Sequence, residues 1–326
     1  MLAAGGIDIA DAFSTDLYTG NGGTQTITNG IDLSGEGGLV WLKSRSSTLP
    51  HNLFDTERGR GNYLSSNSTN AQNVYGADSA GRGLSTFNST GFSLGQNQGS
   101  EGNTNATTYV GWTFRKAPKF FDVVTYTGNG ATRTIAHDLG VAPGMIVIKA
   151  LSTTTGWSTY HRSVGATKYL RLNESTAETA WAYAFDNTEP TSSVMTLGSG
   201  GGFNSNGQTY VAYIFAHDTD ASGVVQCGSY TGNGSATGPV ITLGWEPQWL
   251  MIKRSDAAAN WHIFDAVRGL TTSTDKSLRP NLSSAEMGVQ GTYQATATGF
   301  TVNQAYSDYN ASGGTYIYMA IRKEGA

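Results

Sequence analysis

The pentapeptide Tyr-Thr-Gly-Asn-Gly occurs three times in this chain of 326 residues, beginning at Tyr18, Tyr126 and Tyr230. Successive copies begin 108 and 104 residues apart, which is the size of a small domain. A period this long predicts tandem domains, because the units of solenoid proteins are only about 20–50 residues long. Whatever each domain needs physically should therefore recur in all three copies. A residue found in only one copy is either unnecessary for the fold or part of a specialised site.

Further residues recur in register with the pentapeptide. Each copy has an apolar run that ends in a lysine, and an aligned asparagine follows it. These residues are Lys43, Lys149 and Lys253, and Asn67, Asn173 and Asn281. We interpret each lysine as the end of a central strand, with its aliphatic stem on apolar surface and its ammonium group in solvent. The alternative is a positive charge presented to a sialylated or phosphorylated ligand.

The local patterns predict an all-β fold. The Asn-Gly step of each pentapeptide predicts a tight hairpin turn, because a type I′ turn needs positive φ at both central residues. The residues after it alternate in polarity, as at 24–28, and predict the return strand. The runs that end in lysine are apolar at successive positions, which indicates central strands covered on both faces. We therefore expect three tandem antiparallel β-sandwich domains, jelly-roll-like, of about 100 residues each.

The predicted organisation is an N-terminal arm at 1–12, followed by repeat 1 at 13–117, repeat 2 at 118–218 and repeat 3 at 219–326. The connections between repeats are short, so we expect adjoining repeats to touch and to form a semi-rigid string. One short helix is predicted over 175–185, where several alanines occur.

The composition limits the classes of partner. Charged residues make up 13% of the chain and the formal net charge is −4, so no basic surface for nucleic acid is expected. No apolar run approaches the ~20 residues of a membrane helix, and no membrane insertion is expected. The start of the chain lacks the basic and apolar segments of a signal peptide, which predicts synthesis in the cytoplasm. The single cysteine excludes an internal disulfide framework.

The most charged stretch of repeat 1 contains Asp55, Glu57 and Arg58. Two carboxylates that face one bond are the machinery of a glycosidase. Asp55 aligns with Asp265 of repeat 3, but Glu57 aligns with Val267, so the carboxylate pair does not recur. No catalytic residue is therefore predicted. Asp55, Glu57 and Arg58 are candidates for a salt-bridged turn or for a ligand contact.

Two tryptophans, Trp181 and Trp245, occur in one copy only and are predicted to be surface contacts. Flat aromatic rings bind ligands such as sugars at a low cost in conformational entropy. No metal and no cofactor are expected. The five histidines are scattered without the spacing of a zinc site, and the glycine run at 198–202 lacks the Lys-Ser/Thr of a phosphate-binding loop.

Several longer phrases stand out beside the pentapeptide, at residues 54–59, 112–124, 139–149 and 157–161. They resemble a repeat domain of tailed-phage structural proteins, and the resemblance covers nearly the whole chain. Such domains are frequent in marine phages and are often attached to tail fibres or other proteins of the virion surface. The family has no assigned biochemical activity, so the resemblance carries over no catalytic or binding residue.

The resemblance implies a protein of the virion with a structural or adhesive role. We expect a non-enzymatic tail-fibre or tail-associated adsorption component that contacts the host surface. The alternatives are a capsid decoration or head-fibre protein and, less favoured, a polysaccharide-degrading tail enzyme that uses Asp55 and Glu57. The expected partners are other virion proteins, further copies of the chain in a trimer, and a host surface glycan.

Overall fold

The computed structural model describes residues 7–74, 81–96, 99, 102–270, 275–288 and 292–326. Residues 1–6 of the predicted N-terminal arm lie outside them. The remainder of the arm contains a short 3-10 turn (Ile9–Asp11), and Ile9 and Ala12 are buried in the central core.

The described chain is all-β, as predicted, and every pair of neighbouring strands is antiparallel. The strands in the range of repeat 1 are β1 (Phe13–Thr19), β2 (Gln25–Thr28), β3 (Gly38–Ser44), β4 (Asn52–Asp55), β5 (Asn62–Tyr63), β6 (Asn73–Val74), β7 (Leu84–Asn88), β8 (Gly91–Leu94) and β9 (Thr108–Arg115). Those in the range of repeat 2 are β10 (Phe121–Thr127), β11 (Arg133–Ala136), β12 (Pro143–Ala150), β13 (Ser158–His161), β14 (Lys168–Arg171), β15 (Thr179–Ala180), β16 (Val194–Leu197) and β17 (Thr209–Ala216). Those in the range of repeat 3 are β18 (Val225–Thr231), β19 (Val240–Thr242), β20 (Pro247–Arg254), β21 (Trp261–Asp265), β22 (Tyr293–Thr296), β23 (Gly299–Val302) and β24 (Thr315–Arg322).

Among the described residues, helical structure is confined to short segments. These are α1 (Gly201–Asn204), α2 (Ser307–Asn310) and the 3-10 turns Ile9–Asp11 and Ala266–Arg268. Within the described ranges, no helix is long and apolar enough to cross a membrane.

One strand order recurs in three large sheets. The orders are β1-β9-β3-β4, β10-β17-β12-β13 and β18-β24-β20-β21, and the second sheet continues through β14 and β15. Three smaller sheets, β2-β8-β7, β11-β16 and β19-β23-β22, accompany them, together with the pair β5-β6. Each sheet lies within one predicted repeat.

Each large sheet packs one face against the small sheet of its own repeat. In repeat 1, Ile27 of β2 and Phe92 of β8 share a buried cluster with Val40 of β3 and Phe54 of β4. Corresponding clusters fill repeats 2 and 3. The result in each repeat is a two-layered β-sandwich.

The opposite faces of the three large sheets share a single central core. Trp112, Phe114, Phe215 and Trp249 meet there, with Phe114 lying 5.6 Å from Phe215 and 6.0 Å from Trp249 between ring centroids. All residues of β3 and of β12 are buried as a consequence. The prediction that the runs ending in lysine are central strands covered on both faces is confirmed.

The prediction of a semi-rigid string is wrong, because repeats 1 and 3 are also in contact. The rings of Trp112 and Trp249 lie 6.4 Å apart, and Arg45 forms an ion pair with Glu286. Each large sheet has a second apolar face, and a string would leave those of the end repeats poorly covered. The repeats instead close into a ring around the shared core.

The prediction of a hairpin at the pentapeptide is also wrong. Strands β1 and β2 belong to different sheets, so the residues between them cross from the large sheet to the small one. Gly22 has a φ of +72°, but Asn21 is not among the described residues with positive φ, which excludes a type I′ turn.

No helix forms over 175–185. The backbone of this segment forms hydrogen bonds with repeat 3. The carbonyl oxygen of Ser175 accepts from the amide of Ala259, and the amide of Glu178 donates to the carbonyl oxygen of Ser255. Residues Thr179–Ala180 form the short strand β15 instead. Backbone groups engaged in these tertiary hydrogen bonds are unavailable for an α-helical ladder.

Candidate functional site

The pentapeptide is held by a clasp of two asparagine side chains. In repeat 2, Asn204 accepts from the backbone N–H of Asn129 at 3.0 Å and donates to the side chain of Asn129 at 3.0 Å. It also donates to the carbonyl of Ala131 at 2.6 Å. The same reciprocal clasp joins Asn21 with Asn103 and Asn233 with Asn310. Asn103, Asn204 and Asn310 have no exposed surface.

A pair of stacked tyrosines lies next to each asparagine clasp. The ring of Tyr126, the first residue of the pentapeptide, stacks on Tyr210 with a centroid distance of 5.1 Å. The Tyr126 hydroxyl donates to the carbonyl of Phe203, next to the clasping Asn204. Tyr18 stacks on Tyr109 and Tyr230 on Tyr316 in the same way. The pentapeptide therefore recurs because its tyrosine and asparagine build the scaffold of each repeat.

The repeats are joined by a second recurring arrangement, in which the loop around one aligned asparagine docks on the next repeat. The loop of repeat 1 around Asn67 supplies three backbone groups to repeat 2. Lys149 Nζ donates to Thr69 O at 3.3 Å, Trp157 Nε1 to Ser65 O at 3.1 Å, and Gln72 N to Leu151 O at 2.9 Å.

The same three hydrogen bonds recur at the other two joints. Between repeats 2 and 3, Lys253 Nζ donates to Ser175 O at 3.2 Å, Trp261 Nε1 to Arg171 O at 2.9 Å, and Glu178 N to Ser255 O at 2.8 Å. Between repeats 3 and 1, Lys43 Nζ donates to Ser283 O at 3.1 Å, His51 Nε2 contacts Arg279 O at 3.0 Å, and Glu286 N donates to Arg45 O at 2.8 Å. The third joint closes the ring.

The recurring lysines are therefore buried, and the prediction that their ammonium groups lie in solvent is wrong. Lys43, Lys149 and Lys253 have no exposed surface. Burial lowers the pKa of each of them to about 8. Because every ammonium group donates to carbonyl oxygens of its own strand end and of the neighbouring repeat, none is presented to a charged ligand.

Asp55 and Arg58 form an ion pair at the joint between repeats 1 and 2. Arg58 Nε donates to Asp55 Oδ2, which also accepts from the hydroxyl of Tyr213 in repeat 2 at 2.8 Å. The Asp55 side chain has no exposed surface, so Asp55 forms the salt-bridged turn and the alternative of a ligand contact at the surface is wrong for it. The Arg58 side chain retains 1% exposure. Burying a carboxylate is tolerated here because a charged partner and several hydrogen bonds compensate it.

The same pair recurs in repeat 3, where Arg268 Nε donates to Asp265 Oδ2 at 2.6 Å and Trp112 of repeat 1 donates to the same oxygen at 3.0 Å. In repeat 2 the aligned position is His161, which contacts the carbonyl of Tyr318 in repeat 3. Burial lowers the pKa of His161 to about 4. The pair belongs to the joints of the ring.

Glu57 differs from its neighbours because it is exposed. Its carboxylate accepts from Lys116 Nζ at 3.0 Å, and Lys116 also pairs with Asp122 at 3.3 Å. Glu57 lines an open cleft of about 500 Å³ between repeats 1 and 2. The other lining residues are Arg58, Gln72, Thr125, Tyr126, Thr127, Leu151 and Thr209. The structure thus brings Glu57 and Arg58 together in one cleft, beside the buried Asp55.

The two candidate tryptophans lie apart from this cleft. Trp181 is half-buried and packs against Tyr169 and Phe203, with centroid distances of 5.7 and 5.6 Å. Trp245 is 3% exposed within the core of repeat 3. The expectation of a surface residue is therefore wrong for Trp245, because the apolar interior of the sandwich encloses its ring.

Sequence reasoning missed the clasping asparagines. Each of them stands six residues before the tyrosine that begins the apolar part of the closing strand, as Asn204 does before Tyr210. This constant spacing was the available signal. Within the described ranges, no group of three or more His, Cys, Asp or Glu side chains could hold a metal ion.

A family model described as "Domain of unknown function (DUF7483)" matches residues 8–324. The chain belongs to the DUF7483 family. The match extends across all three repeats of this DUF7483 chain. A search of curated proteins found no match.

Among solved structures, the chain is similar to "Crystal Structure of the STIV MCP" with 8% sequence identity and a TM-score of 0.21. The similarity covers 62% of this chain and 95% of that chain. A TM-score this low carries no argument about fold or function.

Proposed function

We propose that the chain is a non-enzymatic structural component of a bacteriophage virion, in a tail fibre or another tail-associated adsorption structure that contacts the host surface. The observation that carries this proposal is the use of the recurring polar residues within the repeats and at the joints between them. The lysines, the Asp-Arg pairs and the clasping asparagines are buried and bonded within the protein. The lysines and the Asp-Arg pairs hold the repeats together, the asparagines hold each pentapeptide in place, and none of these groups is free to act on a substrate.

The glycosidase alternative requires two carboxylates that face one bond. Asp55 is enclosed by Arg58 and Tyr213, and Glu57 is directed into the open cleft with Lys116 as its partner. Because the Asp55 side chain has no exposed surface and is bonded to Arg58 and Tyr213, it cannot face a saccharide bond together with Glu57. This geometry favours a structural or adhesive role over hydrolysis.

Exposed aromatic side chains support a role in contact with other molecules. Tyr183 and Tyr306 retain 60% and 61% of their surface. Tyr306 precedes α2 directly, and Tyr183 accepts from Gly200, which precedes α1. These tyrosines thus lie beside equivalent helical turns of repeats 2 and 3, where a ligand or another virion protein could contact them.

The second candidate is a capsid decoration or head-fibre protein. The observation in its favour is the closed ring, because three repeats related by equivalent joints suit a location of threefold symmetry on a capsid. The predicted trimer of the chain is a separate proposal. Since the joints are used within one chain, a trimer would form through other surfaces, and light scattering on the purified chain would distinguish it from a monomer.

The experiment for the proposal is detection and location of the chain in purified phage particles. Mass spectrometry of particles is expected to find it at a constant ratio to the other virion proteins. Immunogold labelling in electron micrographs is expected to mark the tail, whereas labelling of the head would favour the second candidate. Absence of the chain from purified particles would contradict a virion role.

A further inference from the structure

The cleft between repeats 1 and 2 differs from the corresponding regions of the other joints. Gln72 and Leu151 line the cleft, and the aligned residues between repeats 3 and 1 are Glu286 and Arg45. Those two form a two-pronged ion pair with both N···O distances at 3.0 Å. A charged pair therefore spans the third joint, where the first joint has an amide and an aliphatic side chain beside open space.

We infer that this cleft is a binding site for an uncharged saccharide. The inference deepens the proposed adsorption role and rests on it. The cleft volume of about 500 Å³ falls within the range of roughly 300–1,000 Å³ that is typical of small-ligand sites. Glu57, Gln72 and Leu151 of the lining are replaced in repeat 3 or at the third joint by Val267, Glu286 and Arg45, so this set of residues borders the first joint and not the third.

The lining offers hydroxyl groups in an arrangement that suits a sugar ring. Thr125 and Thr127 project from β10, and Thr209 begins β17 directly opposite Thr127. All three residues are exposed, and within the described part of the chain their hydroxyls form no hydrogen bond. A hydroxyl both donates and accepts, so each threonine can pair with a saccharide hydroxyl in either direction.

The charges around the cleft give no advantage to acidic saccharides. Glu57 and Asp122 share one ammonium group, that of Lys116, which leaves about one negative charge at the rim of the cleft. Arg58 in the lining is neutralised by the buried Asp55. Arg133, from outside the lining, donates to the carbonyl oxygen of Thr127 at 2.9 Å, so the charges around the cleft nearly balance. The Glu57 carboxylate can accept from sugar hydroxyls, while a sialic acid or a uronic acid would meet like charge.

The test is saturation-transfer-difference NMR on the full chain with lactose, cellobiose, diacetylchitobiose and mannobiose as neutral probes and sialyllactose as the acidic counterpart of lactose. At about 10 mM probe, weak sites in the millimolar range give a signal. We expect transfer to at least one neutral probe. No transfer to any of the four, or a stronger signal from sialyllactose than from lactose, would overturn the inference.

Two pairs of variants place the ligand in the cleft. Thr127→Trp should fill it and weaken binding at least tenfold, whereas Thr231→Trp at the aligned exposed position of repeat 3 should leave binding unchanged. Glu57→Ala should weaken binding severalfold, with Val267→Ala as its aligned control. Because Glu57 and Val267 are both exposed, these substitutions avoid the core. Equal effects of a variant and its control would place binding elsewhere and refute the assignment.

The outcome is separable from that of the proposed function. If the chain is found in the virion and binds none of the neutral probes, the saccharide site fails and the structural role stands. If a neutral saccharide binds in the cleft but the chain is absent from particles, the role in adsorption fails and the site stands as a property of the fold.

Discussion

Lys43 Nζ donates a hydrogen bond of 3.1 Å to the carbonyl oxygen of Ser283, which lies 240 residues further along the chain. This contact belongs to the joint that closes the three repeats into a ring. The equivalent lysines of repeats 2 and 3 reach only to the preceding repeat, across 80 and 78 residues. Closure of the ring therefore links the stability of repeat 1 to that of repeat 3.

Urea unfolding of the whole chain should show one cooperative transition. The three large sheets share a central core, so unfolding of one repeat exposes the apolar faces of the other two. We expect tryptophan fluorescence and far-ultraviolet circular dichroism to report the same midpoint. Separate transitions would mean that the repeats are stable on their own. Glu286→Ala, which removes the ion pair with Arg45 at the third joint, is expected to shift the whole curve to lower urea.

Asn204→Ala should destabilise the protein by about 2–4 kcal/mol, because it leaves several buried backbone and side-chain groups without a hydrogen-bond partner. The matched control is Asn206→Ala, two residues away and exposed, which is expected to change stability by less than about 0.5 kcal/mol. Free energies of unfolding from urea titration decide between them. Equal values for the two variants would show that the clasp contributes no stability.

Gly128→Ala tests the close approach that the pentapeptide needs. A Cβ atom at Gly128 would lie 2.2 Å from the carbonyl oxygen of Ser205, closer than any real contact, so the backbone must shift. We expect a loss of at least about 2 kcal/mol. Gly201→Ala in α1 is the control, since the nearest atom there is 3.6 Å away. That variant should be neutral or stabilising by up to ~1 kcal/mol, and thermal melts of both will show whether the signs differ.

The buried lysines should make the protein more stable as the pH rises above about 8. Burial lowers the pKa of Lys149 from 10.5 to about 8. The unfolded chain therefore binds more protons than the folded chain between these values, and the free energy of unfolding increases with pH. The window ends near pH 9.5, because burial raises the pKa of residues such as Tyr126, and their ionisation near pH 10 favours the unfolded chain.

Lys149→Met is the variant for this pH dependence. It removes one of three equivalent lysines and should flatten the rise of stability between about pH 8 and 9.5 by roughly a third. Lys323→Met serves as the control, because this lysine is an exposed partner of Glu246 at the surface. Urea titrations at several pH values give the slopes. A wild-type stability that falls steadily across this range would contradict the lowered pKa values.

Reasoning from the sequence predicted the elements that depend on local pattern. The successive apolar residues before Lys43 and Lys149 indicated strands covered on both faces, and β3 and β12 are buried throughout. The absence of a second carboxylate in the aligned copies argued against a catalytic pair, and that absence of catalysis stays a prediction. The exposure of Glu57 could not be read from the sequence, because Asp55 two positions earlier on the same charged stretch is fully buried.

The candidate cleft was predictable only in part. Glu57 and Arg58 were chosen for their charge, and both line it. The threonines of β10 and β17 come from a different repeat than Glu57 and Arg58, so only the docking of repeats 1 and 2 could bring the two sets together. The same holds for Tyr213, whose bond to Asp55 spans 158 residues.

The sequence by itself determined that the chain has three related copies rich in β-strands, because polarity patterns and turn residues act over a few positions along the chain. The tertiary structure alone decided what the recurring residues are for. Each pentapeptide crosses from one sheet to another, because an asparagine 75–82 residues further along the chain binds it. These asparagines are Asn103, Asn204 and Asn310. The lysines are buried at the joints between repeats, because the apolar faces of the three sheets are covered best when the ring is closed.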